Sequence, residues 1–272
     1  MVNIDQRLPR PSAEIAFADV GGEGPAVAFV HGAGMERSMF DAQVEALTAG
    51  GYRVVTWDLR GHGESIVAPG ARFAAADALA TWRRCCGSAR SIGLCSLAIR
   101  SGESRAGVRS DARHAGGGAD RAGFDVEHRA AVEVRASARG AVAAMIPART
   151  LPRLMAKASA VTPSAITRTE ATFARMPKRV FLDMWRATVS FVEPDPDYCC
   201  PVPLALTRGA RDRTGNIATA MPRWAQAEGI TEHAIPDAGH ILTWDAPEAT
   251  SKTLLRILDQ WDLGNPAPER GE

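Results

Sequence analysis

Asp212, in RGARDRTG, and His240, in PDAGHILTWDAPE, each follow a short apolar run that ends in a turn. An imidazole held by a carboxylate can act as general base towards a nucleophile. A third cluster, His31-Gly32-Ala33-Gly34, closes the apolar run AVAFV. Backbone N–H groups at such a turn, Ala33 and Gly34 here, can stabilise a developing oxyanion, and small residues let a carbonyl approach them closely. Each cluster also has a plainer reading. Asp212 can be an exposed turn aspartate, and a lone histidine is more often structural than catalytic. Position favours chemistry: all three sit at the C-terminal ends of predicted strands, where open α/β sheets place their sites.

Two other chemistries compete for these residues. Gly32-x-Gly34 follows a strand and opens a helix, and Asp58 ends the next strand, as in a dinucleotide-binding turn. Against that, the third glycine position is Arg37, and Asp58 runs straight into Leu-Arg-Gly-His-Gly. Metal binding is weakly signalled, since the chain holds no HExxH or other ligand spacing. His62, His114, His128 and His233 are read as structural or solvent-exposed.

Together the motifs resemble the α/β-hydrolase family, over roughly residues 15–80 and 145–263. HGAG is similar to its oxyanion turn. Asp58-Leu59-Arg60-Gly61-His62-Gly63-Glu64-Ser65 is similar to its Asp-x-Arg-Gly-x-Gly-x-Ser turn, and Asp212 and His240 fall where the family keeps its acid and base. The resemblance implies an α/β fold with a mostly parallel central sheet, helices on both faces and a helical cap. It divides the chain into a first core part at 1–144, a cap at 145–198 and a second core part at 199–272. It also implies a serine hydrolase acting on an ester-like carbonyl of a small, apolar molecule, with no cofactor and no metal. Peroxidase-like, lactonase and carbon–carbon hydrolase activities all remain open within it.

The family's nucleophile elbow, Gly-x-Ser-x-Gly, is due one helix and one strand beyond Ser65, roughly 25–35 residues on. Neither that window nor the rest of the chain contains it. Gly93-Leu94-Cys95-Ser96-Leu97 lacks the second glycine. Ser101, between Arg100 and Gly102, is the nearest substitute. The surrounding segment 81–140 holds 11 Arg and 11 Ala but only two Leu, too few apolar side chains to build a third of a core.

A reading-frame slip accounts for this. In the phase that starts at each codon's third base, every Cys or Trp codon supplies the end of an NTG triplet, which encodes only Leu, Val or Met. Trp82, Cys85, Cys86 and Cys95 then all become aliphatic. With GC-rich codon choices the stretch re-reads as an amphipathic helix, a buried strand and Gly-His-Ser-Leu-Gly, the serine codon straddling Ile99 and Arg100. The alternative is a genuine, divergent middle segment, which would make the chain a catalytically inactive relative.

The elements that must position these groups are legible on either side. AVAFV and YRVVTW read as strands buried on both faces. Between them lies a helix with Phe40, Val44 and Leu47 on one side and Gly50-Gly51 as its stop. PVPLALTRG and TEHAI read as strands flanking a helix, IATAMPRWAQAE, that Gly229 ends. A final helix carries Pro247 in its first turn and Leu254, Leu255, Leu258 and Trp261 on its apolar face. In the inserted segment, Thr162-Pro163 and Pro177 mark helix starts, and Phe181, Trp185 and Val189 share a face with Met184 beside it. That segment reads either as core packing or as a lid over an apolar pocket, and the two are compatible.

Composition narrows the class of partner. A net charge of +1 over 272 residues gives no electrostatic basis for binding nucleic acid or an anionic membrane. Asp5, Arg7, Arg10 and Glu14 interrupt the N-terminal stretch where a leader needs an apolar run, and no segment has the 18 or so apolar residues of a membrane helix. The five cysteines form no CxxC and suggest no disulfide framework. The expectation is a cytoplasmic protein with a small-molecule substrate; oligomeric state is not readable.

Overall fold

The computed structural model describes residues 6–73, 77, 80–81, 91–95, 144–190 and 203–261. Its main sheet is built from strands β1 (Gln6–Arg10), β2 (Ala13–Asp19), β3 (Ala26–Val30), β4 (Arg53–Trp57), β5 (Ile66–Val67) and β6 (Ser91–Cys95). They run in the order β1-β2-β4-β3-β6, with β5 paired to β2. β4, β3 and β6 are parallel, whereas β1 and β2 form an antiparallel hairpin against β4. The hairpin is hidden in the sequence because QRLPR is polar and carries a proline, which suits an exposed edge.

Every residue of β3 is buried, and its alternating side chains feed two separate cores. Val27 and Phe29 face helix α1 (Asp41–Ala49) and the C-terminal helix, meeting Phe40, Val44, Leu47, Leu254 and Leu258. Ala28 and Val30 face the other way, with Ile15, Val55, Trp57, Leu59 and Met184. Cover on both sides is what a continuous apolar strand requires.

The inserted segment supplies helices α2 (Leu151–Ser159), α3 (Pro163–Arg175) and α4 (Lys178–Ser190). α3 begins as expected: Pro163 fills its first position, and the Thr162 hydroxyl accepts the Ala165 N–H at 3.3 Å. Phe181 and Met184 of α4 are buried.

Strand β7 (Thr207–Gly209), helix α5 (Ile217–Glu228) and strand β8 (His233–Ile235) form a parallel pair with a helical crossover. α5 stops at Gly229 with φ +67°. β7 starts later than PVPLAL suggests, since Pro201 and Pro203 have no N–H to give a ladder; the Leu206 carbonyl still accepts the His233 N–H at 2.7 Å. The short helix α6 (Leu242–Asp245) and helix α7 (Pro247–Gln260) complete the chain order. α7 is fastened to α1 where Gln43 Nε2 donates to the Pro247 carbonyl and to Ser251 Oγ.

Candidate active site

Asp212 lies just past β7 and His240 just past β8, so the parallel pairing of these strands brings their loops side by side. The Ala210 N–H donates to the Ile235 carbonyl and the Arg211 N–H to the Ala238 carbonyl. The approach is close enough that a Cβ on Gly209 would lie 2.1 Å from the Gly239 carbonyl oxygen; only glycine fits.

His240 Nδ1 donates to Asp212 Oδ2 at 2.8 Å. Asp212 Oδ1 accepts both the N–H and the hydroxyl of Thr214, at 2.8 and 2.6 Å. Burial pushes the Asp212 carboxyl up, but the bonds from His240 and Thr214 outweigh it and hold the group below the usual carboxylate range. The pair is therefore a buried carboxylate orienting an imidazole, with no partner for Nε2 among the described residues. Thr214 was missed in the sequence, although Asp-x-Thr is the spacing of a side chain that bonds its own backbone two residues on.

The HGAG turn and the Asp58–Ser65 turn are clasped by two histidines. His31 Nε2 accepts the Leu59 N–H at 2.9 Å, and its Nδ1–H donates to the Gly32 carbonyl. His62 returns the contact, accepting the Gly34 N–H at 3.2 Å while its Nδ1–H donates to the Arg60 carbonyl. Both rings are buried. Gly34 is thus engaged through its N–H and shapes the turn through its φ of +85°, with the Phe173 ring filling the space a Cβ would take. Among the described residues the Ala33 N–H has no acceptor.

Asp58 accepts the Arg37 and Glu64 N–H groups at 2.8 and 3.0 Å. It is buried and committed to holding its own turn, so no ribose hydroxyl can reach it; this removes the dinucleotide reading. Its 3.9 Å approach to His31 Nε2 is not an ion pair, because that nitrogen is accepting the Leu59 N–H.

Burial holds this clasp neutral and makes it pH-sensitive. Burial lowers His31 to about 4; His62 falls to about 3 through burial and the neighbouring His31. Burial also raises Asp58 to about 6, against the two N–H groups and the Arg37 guanidinium. Below pH ~6.5 the unfolded chain takes up two imidazole protons that the folded clasp refuses. The folded Asp58 takes up one near pH 6 that the unfolded chain accepts only near its ordinary value. The two histidines outweigh the one carboxyl, so stability falls as the pH drops from about 6 to 4. Urea midpoints at pH 7, 6, 5 and 4 should fall accordingly, and His62→Gln should flatten the slope.

A cavity of about 50 Å³ joins the two halves of the site. Gly32, Ala33, Ser159, His240 and Thr243 line it, and Met35, Met39, Phe40, Phe173, Ile241 and Leu242 supply apolar walls. The helical segment is fastened over it. Arg168 of α3 donates to the Ser38 carbonyl and Asp41 and stacks over the Trp244 ring, and Arg175 pairs with Glu36. Asp245 ties α3 to the histidine loop: its carboxylate accepts the N–H groups of Gly239, Val161 and Thr162 and the Thr162 hydroxyl, all within 3.1 Å.

Of the residues singled out in the sequence, Asp212, His240 and Ala33 converge here, with Gly34 behind Ala33. Ser101, His114 and His128 lie outside the described residues, as does almost all of the anomalous segment. Its described part, β6, pairs Cys95 with Val30, so the chain leaves β6 beside the HGAG turn. Among the described residues there is no cluster of acids, histidines and cysteines able to hold a metal, and no helix long and apolar enough to cross a membrane.

A family model described as "Alpha/beta hydrolase family" matches residues 27–253. Similar solved structures include a hydrolase from Pseudomonas aeruginosa PA01, at 17% identity and TM-score 0.63, covering 94% of this chain and 98% of that one. An enol-lactonase from Burkholderia xenovorans LB400 aligns at 19% identity and TM-score 0.62, covering 93% and 100%. A thermophilic esterase from Thermogutta terrifontis aligns at 23% identity and TM-score 0.60, covering 94% and 98%. A search of curated proteins returned no match.

Proposed function

Because the chain belongs to the alpha/beta hydrolase family, we propose that it hydrolyses esters of small molecules through a Ser-His-Asp triad, with residues 145–198 as the cap over the site. One observation carries the reading: the Asp212-oriented His240 lines the same small cavity as Ala33, whose N–H is unengaged among the described residues. A serine in the segment after β6 attacks the ester carbonyl, and its proton passes to His240 Nε2. Asp212 stabilises the imidazolium so formed. The tetrahedral oxyanion is received by the Ala33 N–H and by the N–H of the residue after the nucleophile. Collapse expels the alcohol, which takes the proton from His240, and water then cleaves the acyl-enzyme by the same steps in reverse roles.

The second reading is an inactive relative that keeps the cavity and the acid–base pair without turnover. What favours it is the absence of Gly-x-Ser-x-Gly from the sequence. A fluorophosphonate probe followed by peptide mapping separates the two. The hydrolase reading expects one labelled serine in the segment following β6; no label on a folded protein supports the inactive relative.

A further inference from the structure

The net charge of +1 conceals an uneven distribution. Residues 144–190 hold eight Lys and Arg against two acids, Glu170 and Asp183, whereas the rest of the chain holds 24 Lys and Arg against 29 acids. Five of the eight cations are answered. Arg168 and Arg175 pair with Asp41 and Glu36, Arg179 and Arg186 share Asp183, and Lys178 donates to the Ala144 and Ile146 carbonyls. Arg149, Arg153 and Lys157 are exposed, and their side chains have no ion-pair or hydrogen-bond partner among the described residues.

These three cations form a stripe. The chain already turns helically before α2, the Leu151 N–H donating to the Pro147 carbonyl at 3.1 Å, so Arg149, Arg153 and Lys157 follow one another at i, i+4 and i+8. Like charges at that spacing repel and weaken a helix, and no acid between 144 and 169 offsets them. Leu154 shares the face with Arg153 and Lys157 and is 47% exposed; Met145, four residues before Arg149, is 84% exposed. A merely solvated face explains the cations but not the leucine set among them. Unpaired cations around outward apolar side chains suit a bilayer of anionic lipids, which takes the cations at its headgroups and the apolar tips just below. We propose that the outer face of α2 docks the protein on an anionic lipid surface. The whole-chain charge argued against such a partner because it averages this face with an acidic remainder. Ser159, the last residue of α2, lines the cavity beside His240, so the docking face and the site share one helix. Docking does not depend on turnover and is read by binding.

The test is co-sedimentation of the full chain with vesicles of phosphatidylcholine alone and of equal parts phosphatidylcholine and phosphatidylglycerol. The wild type should pellet with the mixed vesicles only, and less so as salt is raised. Each cation close to such a surface strengthens binding about fivefold, so Arg153→Gln combined with Lys157→Gln should weaken it about 25-fold. Leu154→Ser should weaken it several-fold without changing the salt dependence. Arg223→Gln removes an exposed cation from α5 and should bind as the wild type does. All these positions are exposed, so the variants keep the fold. No pelleting with the mixed vesicles overturns the proposal, as does an Arg223→Gln loss equal to that of a substitution on the α2 face. Leu154→Ser without effect overturns it too, and poly-aspartate bound as tightly as the vesicles assigns the face to an acidic protein segment instead.

Discussion

His240→Ala is expected to lower ester turnover by on the order of 10⁴–10⁶-fold, and Asp212→Asn by about 10⁴-fold. The two losses have different origins. Removing the imidazole removes the only described group placed to take a proton beside the Ala33 N–H. Replacing Asp212 leaves the ring but removes the charged acceptor at 2.8 Å from Nδ1, so the ring loses its fixed tautomer and its stabilised imidazolium. Thr214 Oγ1 lies 3.0 Å from Nδ1 and can accept its proton, but a neutral hydroxyl cannot stabilise the imidazolium as a carboxylate does. Because Asp212 sits below the usual carboxylate range, it is charged near neutral pH and adds no acid limb of its own there. The His240 side chain is only 12% exposed and its partner carboxylate is buried, so its truncation should also lower the melting temperature, and rates are compared where both proteins are folded. Equal rates for wild type and His240→Ala would remove both residues from the mechanism.

The second large effect concerns the gene. If the fluorophosphonate probe labels no serine, so that the present chain lacks its nucleophile and His240→Ala has nothing to abolish, returning the codons for residues 80–103 to the phase that reads Gly-His-Ser-Leu-Gly, with the compensating slip further on undone in its own phase, should raise turnover by on the order of 10⁴–10⁶-fold, the factor that a missing nucleophile costs. The position of β6 supports this. It runs in register with β3 from Ala26↔Ser91 to Val30↔Cys95, and the serine codon straddling Ile99 and Arg100 follows its end by a few residues. The strand is then followed by a nucleophile turn next to the oxyanion turn. Re-sequencing the gene and the intact mass of natively expressed protein provide the check. Clean codons and a mass matching the present sequence would reject the slip and leave the divergent relative.

What the sequence made legible was local. AVAFV and VVTW are strands because every residue is apolar or β-branched and both faces find cover. α3 and α7 announce themselves through Thr162-Pro163 and Pro247. Asp212 and His240 were legible because strand-end turns have a recognisable composition. The rest depends on contacts between distant residues. No spacing rule shows that His31 accepts from Leu59 while His62 accepts from Gly34, or that this engages the Gly34 N–H and leaves Ala33 as the turn's unengaged one. Thr214 and Thr243 are ordinary polar residues until β7 and β8 pair and α6 folds against the HGAG turn. The β1–β2 hairpin was illegible for the opposite reason: an exposed edge strand needs no apolar pattern.

Asp245 gives the site a mechanical property. One carboxylate seats both the residue before His240 and the first turn of α3, the helix whose Phe173 closes over Gly34. The bonds to Val161 and Thr162 and the bond to Gly239 are separate, but they share this one acceptor. The arrangement is a shared anchor: loss of the Asp245 carboxylate would release the start of α3 and the residue before His240 together.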